Sequence, residues 1–98
     1  MNLQDLRLRI DQIDDELIRL FEERMNISAE VAQYKRLHDI TIHDPARERE
    51  ILNNLSRKVK KGRESSIVAL YSLLFELSRA EQEKIIKAEA DSCGVSDF

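Results

Sequence analysis

A few side chains in this sequence have the type and spacing to bind a small anion. Arg24 and Lys35 are eleven residues apart. On a helix, that separation sets them about 20° apart around the axis and about 16 Å along it. Two long cationic side chains leaning toward each other from there could hold a small dianion. The structural alternative is that Arg24 pairs with Glu48 or another buried acid while Lys35 stays solvated. Glu48 lies on the apolar stripe of a second segment that continues through Leu52, Leu55 and Val59, with Asp44 and Arg47 just before it. Helix capping also accounts for Asp44, and a favourable first-turn position accounts for Glu48. Ser78 and Gln82 interrupt the apolar face of a third segment and, four residues apart, are neighbours on it. They could also bond to each other or to backbone. Taken together, three segments bring polar groups to the core side, which implies a shared polar cavity inside a bundle.

Arg7 stands apart from this set. It precedes Arg24 by seventeen residues, about 25 Å along a helix and about 100° around it. It cannot reach a small ligand held by Arg24 and Lys35 of the same straight helix. In a dimer with antiparallel long helices, it could reach the partner's site instead. Other catalytic apparatus is missing from the pattern. There is no Cys or Ser nucleophile with a positioned His, no metal-spaced His/Cys cluster and no Gly-rich phosphate loop. His38 and His43 both fall in a loop. An enzyme built from these residues works by binding and electrostatics, with no metal and no cofactor.

The elements that must position these groups are helices. Leu3, Leu6, Ile10, Ile13, Leu17, Leu20, Ile27, Val31 and Tyr34 recur in steps of three and four, the period of a helix with one buried seam. Arg24 occupies a seam position that calls for an apolar residue, a costly placement unless something anionic meets it. Met1 through Ile42 contains no Gly or Pro, so nothing breaks this helix in its middle. From Leu3 to Leu37 it spans about 50 Å, whereas a compact chain of this length has a radius of gyration near 13 Å. Two shorter helices cannot cover such a seam. The expected covering is a second copy of the chain, in an intertwined or extensively packed dimer.

From Leu37 to His43 the helical period is lost and a loop is expected. Asp44-Pro45 then reads as an N-cap followed by a first helical proline. That second helix carries Ile51, Leu52, Leu55 and Val59 and should end near Gly62, after the basic run Arg57-Lys58-Val59-Lys60-Lys61. Cations near a helix C-terminus explain that run better than nucleic-acid contact, since no aromatic residues are interleaved with it. Ser65 or Ser66 should cap a third helix with Ile67, Leu70, Tyr71, Leu74, Phe75, Leu77, Ile85 and Ile86 on its apolar face, running to about Ala90. The fold class is all-α, three helices in the order long, short, medium. One domain is expected over 1–90, and 91–98 reads as a flexible C-terminal tail.

Composition narrows the function classes. Ninety-eight residues make one domain at most. The net charge is −3 and the pI about 5.4, so no bulk basic field favours nucleic acid or an anionic membrane. Any anion site must be local. No stretch approaches the ~20 apolar residues of a membrane span, and Asp5, Arg7 and Arg9 interrupt any signal-peptide pattern. Cys93 is alone, so no internal disulfide forms. A cytoplasmic protein is expected.

The pattern Leu6-Arg7, Ile13-Asp14, Leu17, Arg24, Val31-Ala32 and Lys35, followed by Asp44-Pro45-Ala46-Arg47-Glu48-Arg49-Glu50 and by Ser78 and Gln82, resembles the all-α (type II) chorismate mutases. The resemblance covers about Leu3 to Ile86. Its specific parts are the Arg24–Lys35 spacing and the Asp-Pro-x-Arg-Glu-Arg helix start. It implies a homodimer of three-helix chains that converts chorismate to prephenate by a Claisen rearrangement, in the shikimate-pathway branch leading to Phe and Tyr. By position, Arg24 and the partner's Arg7 would grip the two carboxylates, and Lys35 and Gln82 would donate hydrogen bonds to the ether oxygen. Glu48, with backbone near Asp44, would hold the ring hydroxyl, and Arg47 and Ser78 would line the pocket. Two other readings compete. An isochorismate pyruvate lyase shares the scaffold, but the helix-start motif favours the mutase. A non-enzymatic helical dimerisation module accounts for the seam but leaves Arg24, Lys35 and Gln82 unexplained.

Overall fold

The computed structural model describes residues 2–95, with side chains through Glu89. Among them are three helices, α1 (Leu3–Leu37), α2 (Pro45–Lys58) and α3 (Glu64–Val95), and no strand. The all-α expectation holds, as do both ends of the long helix.

Local chemistry sets each boundary. α1 starts where the Asn2 side chain accepts the Asp5 backbone N–H at 2.9 Å, a standard N-cap bond. It ends at His38 in a left-handed turn with Asp39 at φ 52°, a conformation that Asp tolerates better than most residues. There the Ile40 N–H donates to Lys35 O at 2.8 Å and the Asp39 N–H to Arg36 O at 3.4 Å, the paired bonds that close many helices. α2 begins as expected: Asp44 Oδ1 accepts the Arg47 N–H at 3.1 Å, with Pro45 next in line.

Two boundaries differ from the sequence expectation. α2 stops at Lys58, ahead of Gly62, because Val59 turns extended with ψ 159°. Gly62 serves a tight turn instead: the Arg63 N–H donates to Lys60 O at 3.0 Å, with Gly62 at φ 97° as the third residue. That position of such a turn requires positive φ. α3 begins at Glu64, so neither Ser65 nor Ser66 is its cap. The Glu64 carboxylate accepts the Gly62 N–H at 2.9 Å and lies in the first turn, where the helix dipole favours an anion. At its other end α3 runs on to Val95, past the expected stop at Ala90. Ala88-Glu89-Ala90-Asp91 contains no helix breaker, and the first glycine comes only at position 94. Of the expected tail, residues 96–98 and the Cys93 side chain lie outside the described residues.

α3 packs against both other helices. Tyr71 and Phe75 meet edge to face with ring centroids 6.1 Å apart. An Arg36–Glu89 ion pair at 2.9 Å joins the end of α1 to α3. The chain is nonetheless long and thin, 65 × 30 × 15 Å with a radius of gyration of 18.0 Å. Among the described residues, the buried hydrophobics are Ala32 and Phe75 alone. The apolar seam at the start of α1 is open along its length, and Ile13, for example, is 58% exposed. On the outer face Arg19 bridges Glu16 at 2.9 Å and Glu23 at 3.3 Å. Its hydrogen bond and charge hold the exposed Glu16 carboxyl below the ordinary value.

Candidate active site

The helical geometry places Arg24, Ser28, Val31 and Lys35 on one face of α1. That face meets Phe75, Ser78, Arg79 and Gln82 of α3, and the start of α2 closes the space between them with Asp44, Arg47, Glu48 and Ile51. The resulting cleft holds about 380 Å³, enough for a small organic acid. Of the residues singled out in the sequence, it gathers Arg24, Lys35, Asp44, Arg47, Glu48, Ser78 and Gln82. Arg7 is not among its lining residues and stands exposed on the distal part of α1.

Arg24 spans the helix pair. Its Nη1 donates to Ser78 Oγ at 2.7 Å, and its guanidinium carbon lies 5.8 Å from the Tyr71 ring centre and 5.9 Å from that of Phe75. The rings and the hydroxyl orient the group without neutralising it. The structural alternative, a pair between Arg24 and Glu48, is not what forms. Glu48 accepts a hydrogen bond from Arg79 Nη1 instead, with His43 Nε2 3.8 Å from its other oxygen. Lys35 is half-buried and donates to the Ile42 carbonyl at 2.7 Å. An ammonium carries three donors, so two remain.

Gln82 is buried, and its Oε1 has no hydrogen-bond partner. An unpaired buried amide oxygen costs about 1–3 kcal/mol, and this side chain lies in the wall of the cleft. Ser78 and Gln82 do not bond to each other, and Gln82 Oε1 has no backbone partner. Arg47 reaches the rim only: its guanidinium pairs with Glu50 at 2.6 Å on the exposed side. The cleft is thus lined by Arg24, Lys35, Arg47 and Arg79 against Asp44 and Glu48, an excess of cations in a chain whose net charge is negative.

Two polar lining residues were not singled out from sequence. Arg79 continues the four-residue row Tyr71–Phe75, so a guanidinium following two aromatics was the available signal. Ser28 is buried between Arg24 and Lys35, a small polar residue on the same face as both cations. Among the described residues, no three His, Cys, Asp or Glu side chains stand close enough to hold a metal ion. Among the described residues, no helix is long and apolar enough to cross a membrane.

Comparison with known proteins bears on this arrangement directly. The family model for chorismate mutase type II matches residues 6–83. The chain is 29% identical over 87 residues to the chorismate mutase of Methanocaldococcus jannaschii, across 87% of this chain and 88% of that protein. It is 35% identical over 83 residues to the bifunctional chorismate mutase/prephenate dehydratase of Buchnera aphidicola, across 83% of this chain but 22% of that longer protein. The crystal structure of chorismate mutase from Helicobacter pylori in complex with prephenate aligns with a TM-score of 0.80 and 35% identity, over 87% of this chain and 93% of that one. With a match from the first turns of α1 to the Gln82 turn of α3, the chain belongs to the type II chorismate mutase family.

Proposed function

We propose that this chain converts chorismate to prephenate by a Claisen rearrangement, in the cytoplasm, on the route to Phe and Tyr. The observation that carries the reading is the convergence of Arg24, Lys35, Ser78 and Gln82 from two helices on one cleft. The reaction breaks a C–O bond and forms a C–C bond within one molecule, and no proton changes hands. Catalysis then requires two things: a compact substrate conformer, and donors aimed at charge that grows only in the transition state. Arg24 binds one carboxylate, as a guanidinium fork suits. Lys35 keeps its bond to Ile42 O and offers a second donor to the ether oxygen. Gln82 donates to that oxygen from the opposite wall. Glu48, with backbone near Asp44, accepts the ring hydroxyl, and Arg47 and Ser78 border the carboxylate and hydroxyl ends.

The working unit in this proposal is a homodimer. The open seam from Leu3 to Leu20 supports it, since an uncovered apolar row of that length is unfavourable in water. In that assembly the partner's Arg7 completes the grip on the second carboxylate. The test is prephenate formation from chorismate by the purified chain, run beside pyruvate release from isochorismate. Saturable prephenate formation is expected. Faster pyruvate release from isochorismate would overturn the reading in favour of a lyase, and inactivity on both would favour a dimerisation module.

A further inference from the structure

Arg79 is the charged residue of the cleft to which the reaction described above gives no task. It follows Ser78 on α3 and donates through Nη1 to Oε2 of Glu48, which comes from α2. Both side chains are about three-quarters buried, with 26% and 23% of their surface exposed. The contact therefore joins two helices inside the cleft. It leaves Oε1 as the carboxylate oxygen not taken by Arg79, with His43 Nε2 at 3.8 Å, beyond hydrogen-bond reach.

We propose that Arg79 is a positioning residue for Glu48, fixing its carboxylate so that Oε1 accepts the substrate's ring hydroxyl. This rests on the placement of that hydroxyl at Glu48. A glutamate has three rotatable side-chain bonds, and an unheld carboxylate could swing out to solvent and give up the hydroxyl contact. The charge-assisted bond from Arg79 opposes this, since such bonds are short, directional and stronger than neutral ones. It also explains why Glu48 and Arg24 share a cleft without pairing.

The competing role is purely structural, a tie between α2 and α3, and selectivity distinguishes the two. The experiment measures kcat/KM for chorismate and for its analogue lacking the ring hydroxyl, in wild type, Glu48→Ala, Arg79→Leu and Arg79→Gln. Wild type should prefer chorismate, and Glu48→Ala should lose most of that preference. Arg79→Leu should reduce the preference about tenfold, as loss of one well-aimed hydrogen bond to a charged group does, while the rate on the analogue changes little. Glu48→Ala/Arg79→Leu should be no less selective than Glu48→Ala alone. Equal losses on both substrates in Arg79→Leu would overturn the proposal and leave only the structural tie. If Arg79→Leu does not fold, Arg79→Gln carries the same two outcomes. A Glu48→Ala chain that keeps the full preference would instead refute the hydroxyl site at Glu48.

Discussion

Arg24 on α1 donates to the Ser78 hydroxyl on α3 at 2.7 Å, so the charge in the seam of the long helix is met by a neutral group. The acid on α2 that could have neutralised it, Glu48, is held by Arg79. A half-buried guanidinium kept oriented but unneutralised is a site for an anion.

Replacing Arg24 by Leu should weaken transition-state binding by about 2–5 kcal/mol, the range for removing one side of a buried charged contact. The fold should survive, with a melting temperature equal to or above that of wild type. Steady-state kinetics beside a thermal melt will show this; retained activity with raised stability would return Arg24 to a merely structural role.

Lys35→Ala should lower kcat and kcat/KM together, by about 10²–10³, because the lost donor acts where charge develops. A rise in KM alone would show that Lys35 only binds.

Gln82→Glu should make the reaction pH-dependent. A carboxylate cannot donate a hydrogen bond, whereas a carboxylic acid can. Activity in that variant should therefore be highest at acid pH and decline as pH rises through the titration of the new carboxyl. Wild type, with a neutral amide, should lack that limb. A variant whose pH–rate profile matches that of wild type would rule out the donor role.

Arg7→Ala and Arg24→Ala chains should each be nearly inactive alone, yet recover activity when mixed and allowed to exchange. Each mixed dimer has one site with both arginines, so about a quarter of wild-type activity should return if exchange is random. No recovery under conditions where exchange is proven would show that Arg7 serves no partner's site.

Ile13→Asp places a charge in the open seam of α1, where Ile13 is 58% exposed in the single chain. If a second copy covers that seam, sedimentation should show dissociation, and helicity and activity should fall with it. A variant that still sediments as wild type would mean the seam is not the contact.

The sequence alone determined what depends on neighbours within a turn or so. The three-and-four spacing from Leu3 to Tyr34, with no Gly or Pro to interrupt it, defined α1, and Asp44-Pro45 defined the start of α2. Both follow from bonds that reach three or four residues along the chain. Arg24 was visible as a polar intrusion for the same reason, because a helical period makes one wrong residue conspicuous. Lys35 and Gln82 were read on the correct face by the same arithmetic.

Tertiary structure decided which groups face each other. Whether Arg24 meets Glu48 or Ser78 depends on the rotation and register of α1, α2 and α3, and no local period encodes those. The choice of Arg79 as the partner of Glu48 is a contact across 31 residues. Gly62 was read as a helix end because glycine suits a C-cap and a tight turn alike, and only the extended backbone at Val59 separates the two. Helix ends are local competitions among a few hydrogen bonds, whereas the cleft is a property of three helices packed at once. Its charges became legible only when their partners across the helices were in place.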